Sequence, residues 1–211
     1  VQDYTTTVNG YDVTNSYTPG KTSVGVTKSW KDNNDQDGIR PESITVKLLA
    51  NGKDTGKTLT LSEGNRWTGS FTDLDVYADG KEITYTIEEV KVSDYDTTIT
   101  GDAVTGYVIT NSHTPETVDI SGTKTWDDAE NQDGKRPESI TIRLYANGTE
   151  VNSKEVTAEE SWAWSFTNLP KYENGVQINY TISEDTVQDY TTTVNGYDVT
   201  NSYTPGKTSV G

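Results

Sequence analysis

Cysteine and methionine are both absent from the 211 residues. Without thiols the chain has neither disulfides nor thiolate metal ligands. Without sulfur it offers few targets to oxidants, which suits an exposed location. No apolar run approaches the ~20 residues of a membrane-spanning helix. The start, Val1-Gln2-Asp3-Tyr4, carries no signal-peptide pattern and reads as a cut through a longer protein. Basic residues are few: 17 Lys and Arg stand against 33 Asp and Glu, a net charge of −16. That balance excludes the basic footprint of a nucleic-acid binder and disfavours an anionic membrane surface. The acidity reads as the solubility of a surface-exposed protein. The single histidine, His113, stands beside a Thr-Pro step and reads as a surface residue.

What is present is strand chemistry. Thr, Val, Ile and Tyr dominate the patterned runs, apolar and polar residues alternate, and 13 Tyr and 5 Trp supply large core groups. Residues 1–25 recur unchanged at 187–211, a period of 186 residues. Two diverged half-repeats lie inside that period. Lys28-Ser29-Trp30 matches Lys124-Thr125-Trp126. The stretch from Gln36 to Ile44, with Asp37-Gly38 and Arg40-Pro41, matches Gln132 to Ile140. Tyr85-Thr86-Ile87 matches Tyr180-Thr181-Ile182, and Thr110-Asn111-Ser112 matches Thr200-Asn201-Ser202. The expected organisation is domain one at 21–116, domain two at 117–207, the last strand and junction of a truncated preceding repeat at 1–20, and the start of a further repeat at 208–211. Thr-Pro steps mark the junctions, since Pro ends a strand, and such short junctions suit a semi-rigid rod. In domain one the pattern predicts strands near 23–31, 43–50, 57–62, 66–72, 82–91, 95–100 and 106–112, separated by turn signals such as Asn51-Gly52. The fold class is therefore all-β: two tandem antiparallel β-sandwiches of about seven strands each.

Three polar residues fall on the wrong face. Side chains two apart on a strand share a side. Val24, Val26, Lys28 and Trp30 share one face; so do Ile83, Tyr85, Ile87 and Glu89; so do Tyr107, Ile109 and Asn111. The second half repeats this with Lys124, Glu184 and Asn201. Glu88 points the other way, and Ser183 stands at its counterpart. Burying a lone ammonium or carboxylate costs several kcal/mol or more, so doing it twice in matched places asks for a reason. One reading is a buried Lys–Glu ion pair hydrogen-bonded to Asn. The other is chemical. A desolvated lysine loses its proton more easily and a desolvated glutamate keeps its own. A neutral amine is a nucleophile, a carboxylic acid relays protons, and the asparagine amide carbon is the electrophile. Parity and repetition leave both readings open.

The Val-Thr-Lys-Ser-Trp opening, the Asp-Gly-x-Arg-Pro loop, the Tyr-Thr-Ile-x-Glu strand and the Thr-Asn-Ser-x-Thr-Pro ending resemble the B-type repeat domains of the staphylococcal collagen adhesin. Such domains also occur in Gram-positive pilins and wall-anchored surface proteins. The resemblance covers nearly the whole chain. It implies an inverse immunoglobulin or transthyretin-like sandwich with spontaneous Lys–Asn isopeptide bonds assisted by an acid. Carried over, Lys28 joins Asn111 with Glu89 as proton relay, and Lys124 joins Asn201 with Glu184. Asn15 is the unpaired crosslink asparagine of the truncated repeat.

The expected function is a stalk or spacer of a cell-wall-anchored bacterial surface adhesin, located outside the cell. The alternative is an adhesive module that contacts host matrix directly. A conventional enzyme is not expected, because the triad acts only on its own chain. The expected partners are adjacent repeats and an adhesive domain elsewhere in the full-length chain. Neither cofactor nor metal is expected, nor nucleic acid or membrane, and the chain is expected to be a monomer. The loop Asn33–Gly38 has part of a calcium-loop pattern, but Ile44 stands where the bidentate Glu belongs, so it reads as a hydrogen-bonded turn.

Overall fold

The computed structural model describes residues 1–208; residues 209–211, within the stretch read as the start of a further repeat, lie outside the described residues. The chain is built from strands. An N-terminal hairpin comprises β1 (Thr5–Asn9) and β2 (Asp12–Ser16). There follow β3 (Lys21–Lys31), β4 (Ser43–Ala50), β5 (Lys53–Ser62), β6 (Thr68–Asp75), the short pair β7 (Tyr77–Ala78) and β8 (Lys81–Glu82), β9 (Tyr85–Glu89), β10 (Asp96–Asp102) and β11 (Gly106–Ser112). The second half contains β12 (Thr117–Asp127), β13 (Ser139–Ala146), β14 (Thr149–Thr157), β15 (Ala163–Pro170), the short pair β16 (Tyr172–Glu173) and β17 (Val176–Gln177), β18 (Tyr180–Glu184), β19 (Thr191–Asn195) and β20 (Asp198–Ser202). Contacts divide the chain into two compact units. One holds Val1–Asn34 and Ile39–Thr114; the other holds Asp35–Gly38 and the chain from Pro115 onward.

Each unit is a sandwich of a four-stranded and a three-stranded sheet. The orders are β10-β11-β3-β6 with β5-β4-β9 in the first unit, and β15-β12-β20-β19 with β14-β13-β18 in the second. Alternation explains the layers. Along β4, Ile44, Val46 and Leu48 turn inward, and along β13 Ile140, Ile142 and Leu144 do the same. They meet Val24, Val26, Phe71 and Ile109 in one core, and Ile120, Trp164, Phe166 and Val199 in the other.

Among the described residues the ladders are antiparallel with one exception in each unit. The last strand runs parallel to the first: Ile109 stands beside Lys28 and Asn111 beside Trp30, while Val199 stands beside Lys124 and Asn201 beside Trp126. A parallel pair needs a long crossover, and here the crossover is the rest of the unit.

Strand limits also differ locally from the pattern. The run 82–91 is divided because Asn51 takes both backbone groups of Thr84, donating from N to its O (2.8 Å) and accepting its N–H at Oδ1 (2.9 Å). Arg66 and Trp67 lie outside β6 in the left-handed region (φ 55° and 58°), after a 3-10 turn over Glu63–Asn65. Trp162 does likewise (φ 55°), so Trp162 and Trp164 do not share one strand.

Candidate functional site

Lys28 sits midway along β3 with its side chain turned into the sandwich. The partner acid comes from the opposite sheet, where β9 alternates Tyr85, Ile87 and Glu89 inward. Glu88 faces solvent, as parity requires. Asn111 comes from β11, two pairs further along the ladder than Lys28, and is fully buried. Lys28 Nζ lies 2.9 Å from Glu89 Oε1, with side-chain exposures of 0% and 1%. Asn111 Nδ2 donates to the same Oε1 at 3.2 Å. One carboxylate oxygen therefore faces both nitrogens.

The second unit reproduces the set. Lys124 Nζ lies 2.8 Å from Glu184 Oε1 with neither side chain exposed, and Asn201 is fully buried. Here, among the described residues, both polar atoms of the Asn201 amide are without a hydrogen-bond partner; in the first unit only Oδ1 of Asn111 is. The lysine–carboxylate contacts are at ion-pair distance, yet neither Nζ has a well-directed acceptor. Burial pushes both lysines below the ordinary lysine range, and the adjacent carboxylate opposes that shift without cancelling it. A lowered lysine gives up its proton more readily, the condition for nucleophilic attack.

Aromatic groups seal each set. Lys28 Nζ lies 4.4 Å from the Trp30 ring centroid, and Lys124 Nζ lies 4.4 Å from that of Trp126. Trp30 meets the edges of Trp67 (5.2 Å) and Tyr95 (5.0 Å); Trp126 meets Trp162 (5.1 Å) and Tyr190 (5.1 Å). A second polar cluster braces this lid, one that the alternation reading passed over. Asp32 and Asp128 are buried, and each receives a bidentate fork from Arg40 or Arg136 (3.0 and 2.6 Å in both). The hydroxyls of Tyr95 and Tyr190 donate to the same aspartates at 2.9 Å. The signal was available: Lys28, Trp30 and Asp32 share one parity, and Asp128 repeats the third position. Thr97 and Thr192 were also passed over; their hydroxyls donate to Glu89 Oε2 (2.7 Å) and Glu184 Oε2 (2.8 Å).

Asn15, the third asparagine of the set, is exposed on β2 and accepts from Thr6 Oγ1 at 2.6 Å. The loop after β3 is a turn closed by Gly38 N donating to Asp35 O (2.9 Å), with Asn33, Asn34 and Asp35 in the left-handed region. Among the described residues no group of three or more His, Cys, Asp or Glu is placed to hold a metal ion.

The family model described as Cna protein B-type domain matches residues 24–112 and 120–202, one match for each sandwich. The chain belongs to this family. Over 210 residues it is 52% identical to a collagen adhesin of Staphylococcus aureus, covering 99% of this chain and 18% of that protein. It thus spans about a fifth of its curated relative. The crystal structure of two B repeat units, B1 and B2, of the collagen-binding protein of S. aureus matches with a TM-score of 0.81 at 51% identity, covering 98% of this chain and 56% of that one. Both B-type units here carry Lys, Glu and Asn at equivalent positions with their side chains turned into the core.

Proposed function

We propose that these two B-type units form a spacer segment of a wall-anchored bacterial surface adhesin, each closed by an isopeptide bond. The observation that carries this reading is the twofold burial of Lys–Glu–Asn. In each unit an ammonium, a carboxylate and a primary amide sit in an apolar core, with two polar atoms of the first set and four of the second lacking a hydrogen-bond partner among the described residues. Left as they are, such groups cost stability. Reaction removes the cost. One proton passes from the ammonium to Glu within the ion pair, leaving a neutral amine and a carboxylic acid. Nζ attacks Cγ of Asn, the Cγ–Nδ2 bond breaks as Glu delivers its proton to the departing nitrogen, and the carboxylate so regenerated takes the second proton that Nζ sheds. The products are a secondary amide between the two side chains and one molecule of ammonia. Holding the reactants together supplies an effective molarity on the order of 10⁵–10⁸ M, enough for a step that occurs once.

The positions then have a mechanical meaning. Lys lies on the first strand and Asn on the last, in parallel register. Tension entering at Lys28 leaves at Asn111, and tension entering at Lys124 leaves at Asn201, so the interior of each sandwich lies off the covalent path. Asn15 to Lys28 and Asn111 to Lys124 are each 13 residues (28 − 15 and 124 − 111), as a repeating design requires. The units correspond to 21–116 and 117–207, and the segment sits outside the cell as a monomer between neighbouring repeats and a separate adhesive domain. Intact mass spectrometry tests the bonds: two ammonia losses are expected, and the unmodified mass overturns them. A matrix-binding assay tests the spacer role: saturable, specific binding of this segment to host matrix protein would replace it with direct adhesion.

A further inference from the structure

Thr97 and Thr192 occupy a place that couples the crosslink to completion of the fold. Each is the direct cross-strand partner of a reactive asparagine, Thr97 opposite Asn111 and Thr192 opposite Asn201. Each reaches past its partner to the Oε2 atom of the relay glutamate, at 2.7 and 2.8 Å. The N-terminal hairpin supplies a third copy in a different setting. There Thr6 stands opposite Asn15 in the same register, and its hydroxyl donates instead to Asn15 Oδ1 at 2.6 Å. The same hydroxyl therefore has two acceptors: the amide oxygen of its neighbour in an exposed hairpin, and the glutamate in a docked one.

We propose that Thr97 and Thr192 are positioning residues for isopeptide formation, delivered by the same hairpin that delivers the electrophile. The proposal rests on the isopeptide reading above. The terminal torsion of Glu is broad, so a carboxyl group needs a partner to hold one oxygen in place. With Oε2 held by the hydroxyl, Oε1 is turned toward Lys Nζ in both units and toward Asn111 Nδ2 in the first. Transfer of the hydroxyl also releases the amide oxygen. Among the described residues Asn111 Oδ1 and Asn201 Oδ1 have no hydrogen-bond partner, whereas Asn15 Oδ1 does. A hairpin that has not docked thus presents a capped amide and leaves the glutamate unoriented; docking corrects both at once.

The test uses the whole chain, with unit two as internal control. Thr97→Val and Thr97→Ser chains are made by cell-free synthesis, sampled over time and digested, and crosslinked and free peptides are quantified for each unit. Thr97→Val is expected to slow crosslinking in unit one about tenfold, a fraction of what positioned acid–base groups contribute. Thr97→Ser is expected to react at the unaltered rate, and unit two is unaffected in both. In a Lys28→Ala background, where no bond forms in unit one, Thr97→Val is expected to keep the fold, with only the modest fall in melting temperature that loss of one hydrogen bond brings. Crosslinking of the Val chain at the unaltered rate, a Ser chain as slow as Val, or loss of the fold in the Lys28→Ala background overturns the role of the threonine. Absence of crosslinked peptides from both units of the unaltered chain overturns the isopeptide reading instead.

Discussion

Residues 1–20 and 187–206 have the same sequence in two different surroundings. Both form the same hairpin in the same register, Thr5 to Ser16 through Asn9 to Asp12, and Thr191 to Ser202 through Asn195 to Asp198. Each turns on a two-residue loop led by a glycine of positive φ, Gly10 at 64° and Gly196 at 61°, as a primed hairpin turn requires. Even the tyrosine pair is kept: Tyr4–Tyr17 and Tyr190–Tyr203 both have ring centroids 5.5 Å apart. Burial is what changes. Val13 is 63% exposed and Val199 is 0%; Asn15 is exposed and Asn201 is not. The hairpin is written locally, while the environment that buries its asparagine comes from strands that stand earlier in the chain. Asn15 is thus a built-in control for Asn201.

The largest expected effect comes from removing the reaction where the hairpin is docked. Glu184→Gln is expected to abolish the proposed crosslink of unit two, to leave that of unit one in place, and to leave Asn15 as it was. A crosslink closing a loop of this span contributes roughly 4–5 kcal/mol through the unfolded state, by analogy with disulfides. Differential scanning calorimetry is expected to show one transition falling sharply while the other holds. Peptide mapping is expected to find Asn15 as a free primary amide in every variant. Crosslinked Asn15 would break the comparison, because it would mean that sequence without docking suffices.

The next effect probes packing alone. Val199 fills a fully buried place beside Lys124 on the first strand of its unit. Val199→Ala opens a cavity and is expected to lower stability by about 2 kcal/mol. Val13→Ala, the same change in the same sequence, is expected to have no measurable effect, because that side chain already faces water. Chemical denaturation of the two variants checks this, and equal losses would sink it.

Alternation made much of the site legible. A period of two on three strands put Lys28, Glu89 and Asn111 inward and Glu88 outward, since a strand with one face buried has no freedom to do otherwise. The repeat then confirmed the choice, and the fold class followed from short strands between turn signals. Three things were not legible. The parallel pairing of first and last strands depends on direction across some eighty residues, which no local pattern records. Thr97 and Thr192 sit in runs of Thr that read as generic strand surface, and only the opposite sheet reveals what one hydroxyl reaches. The Asp32–Arg40 and Asp128–Arg136 forks unite a strand end with a loop, so parity marked the aspartate but not its partner.

The aspartate fork of unit two gives the next expectation. The Arg136 guanidinium holds the Asp128 carboxyl down at about 2, helped by the Asn131 backbone N–H and the Tyr190 hydroxyl and opposed by burial. In the unfolded chain this carboxyl is near its ordinary value of 3.8. A depressed carboxylate stabilises the fold above its unfolded value, and the contribution is lost as pH falls through the folded one. The interval corresponds to about 2 kcal/mol. Asp128→Asn is therefore expected to lower stability at neutral pH and to flatten its dependence between pH 4 and 2, read by tryptophan fluorescence.

The smallest effect sharpens the comparison at a single oxygen. Tyr190 donates its hydroxyl to Asp128 Oδ2 at 2.9 Å, and its own ionisation is pushed up to about 12, by burial first and by that carboxylate second. Tyr4 is the same residue of the same repeat and is exposed. Tyr190→Phe removes one hydrogen bond to a charged group and is expected to cost about 1–2 kcal/mol. Tyr4→Phe is expected to cost nothing measurable, although it keeps the same ring pair with Tyr17. The sign with pH follows from the donor. Without the hydroxyl, Asp128 holds its proton more tightly, so the acid loss of stability begins at higher pH in Tyr190→Phe. In the alkaline direction the unaltered tyrosine favours the fold below its unfolded value and ceases to as pH rises through 12. Equal melting curves for the two Phe variants at neutral pH, or an acid limb that stays in place, would show that the docked hairpin is held by its apolar face alone.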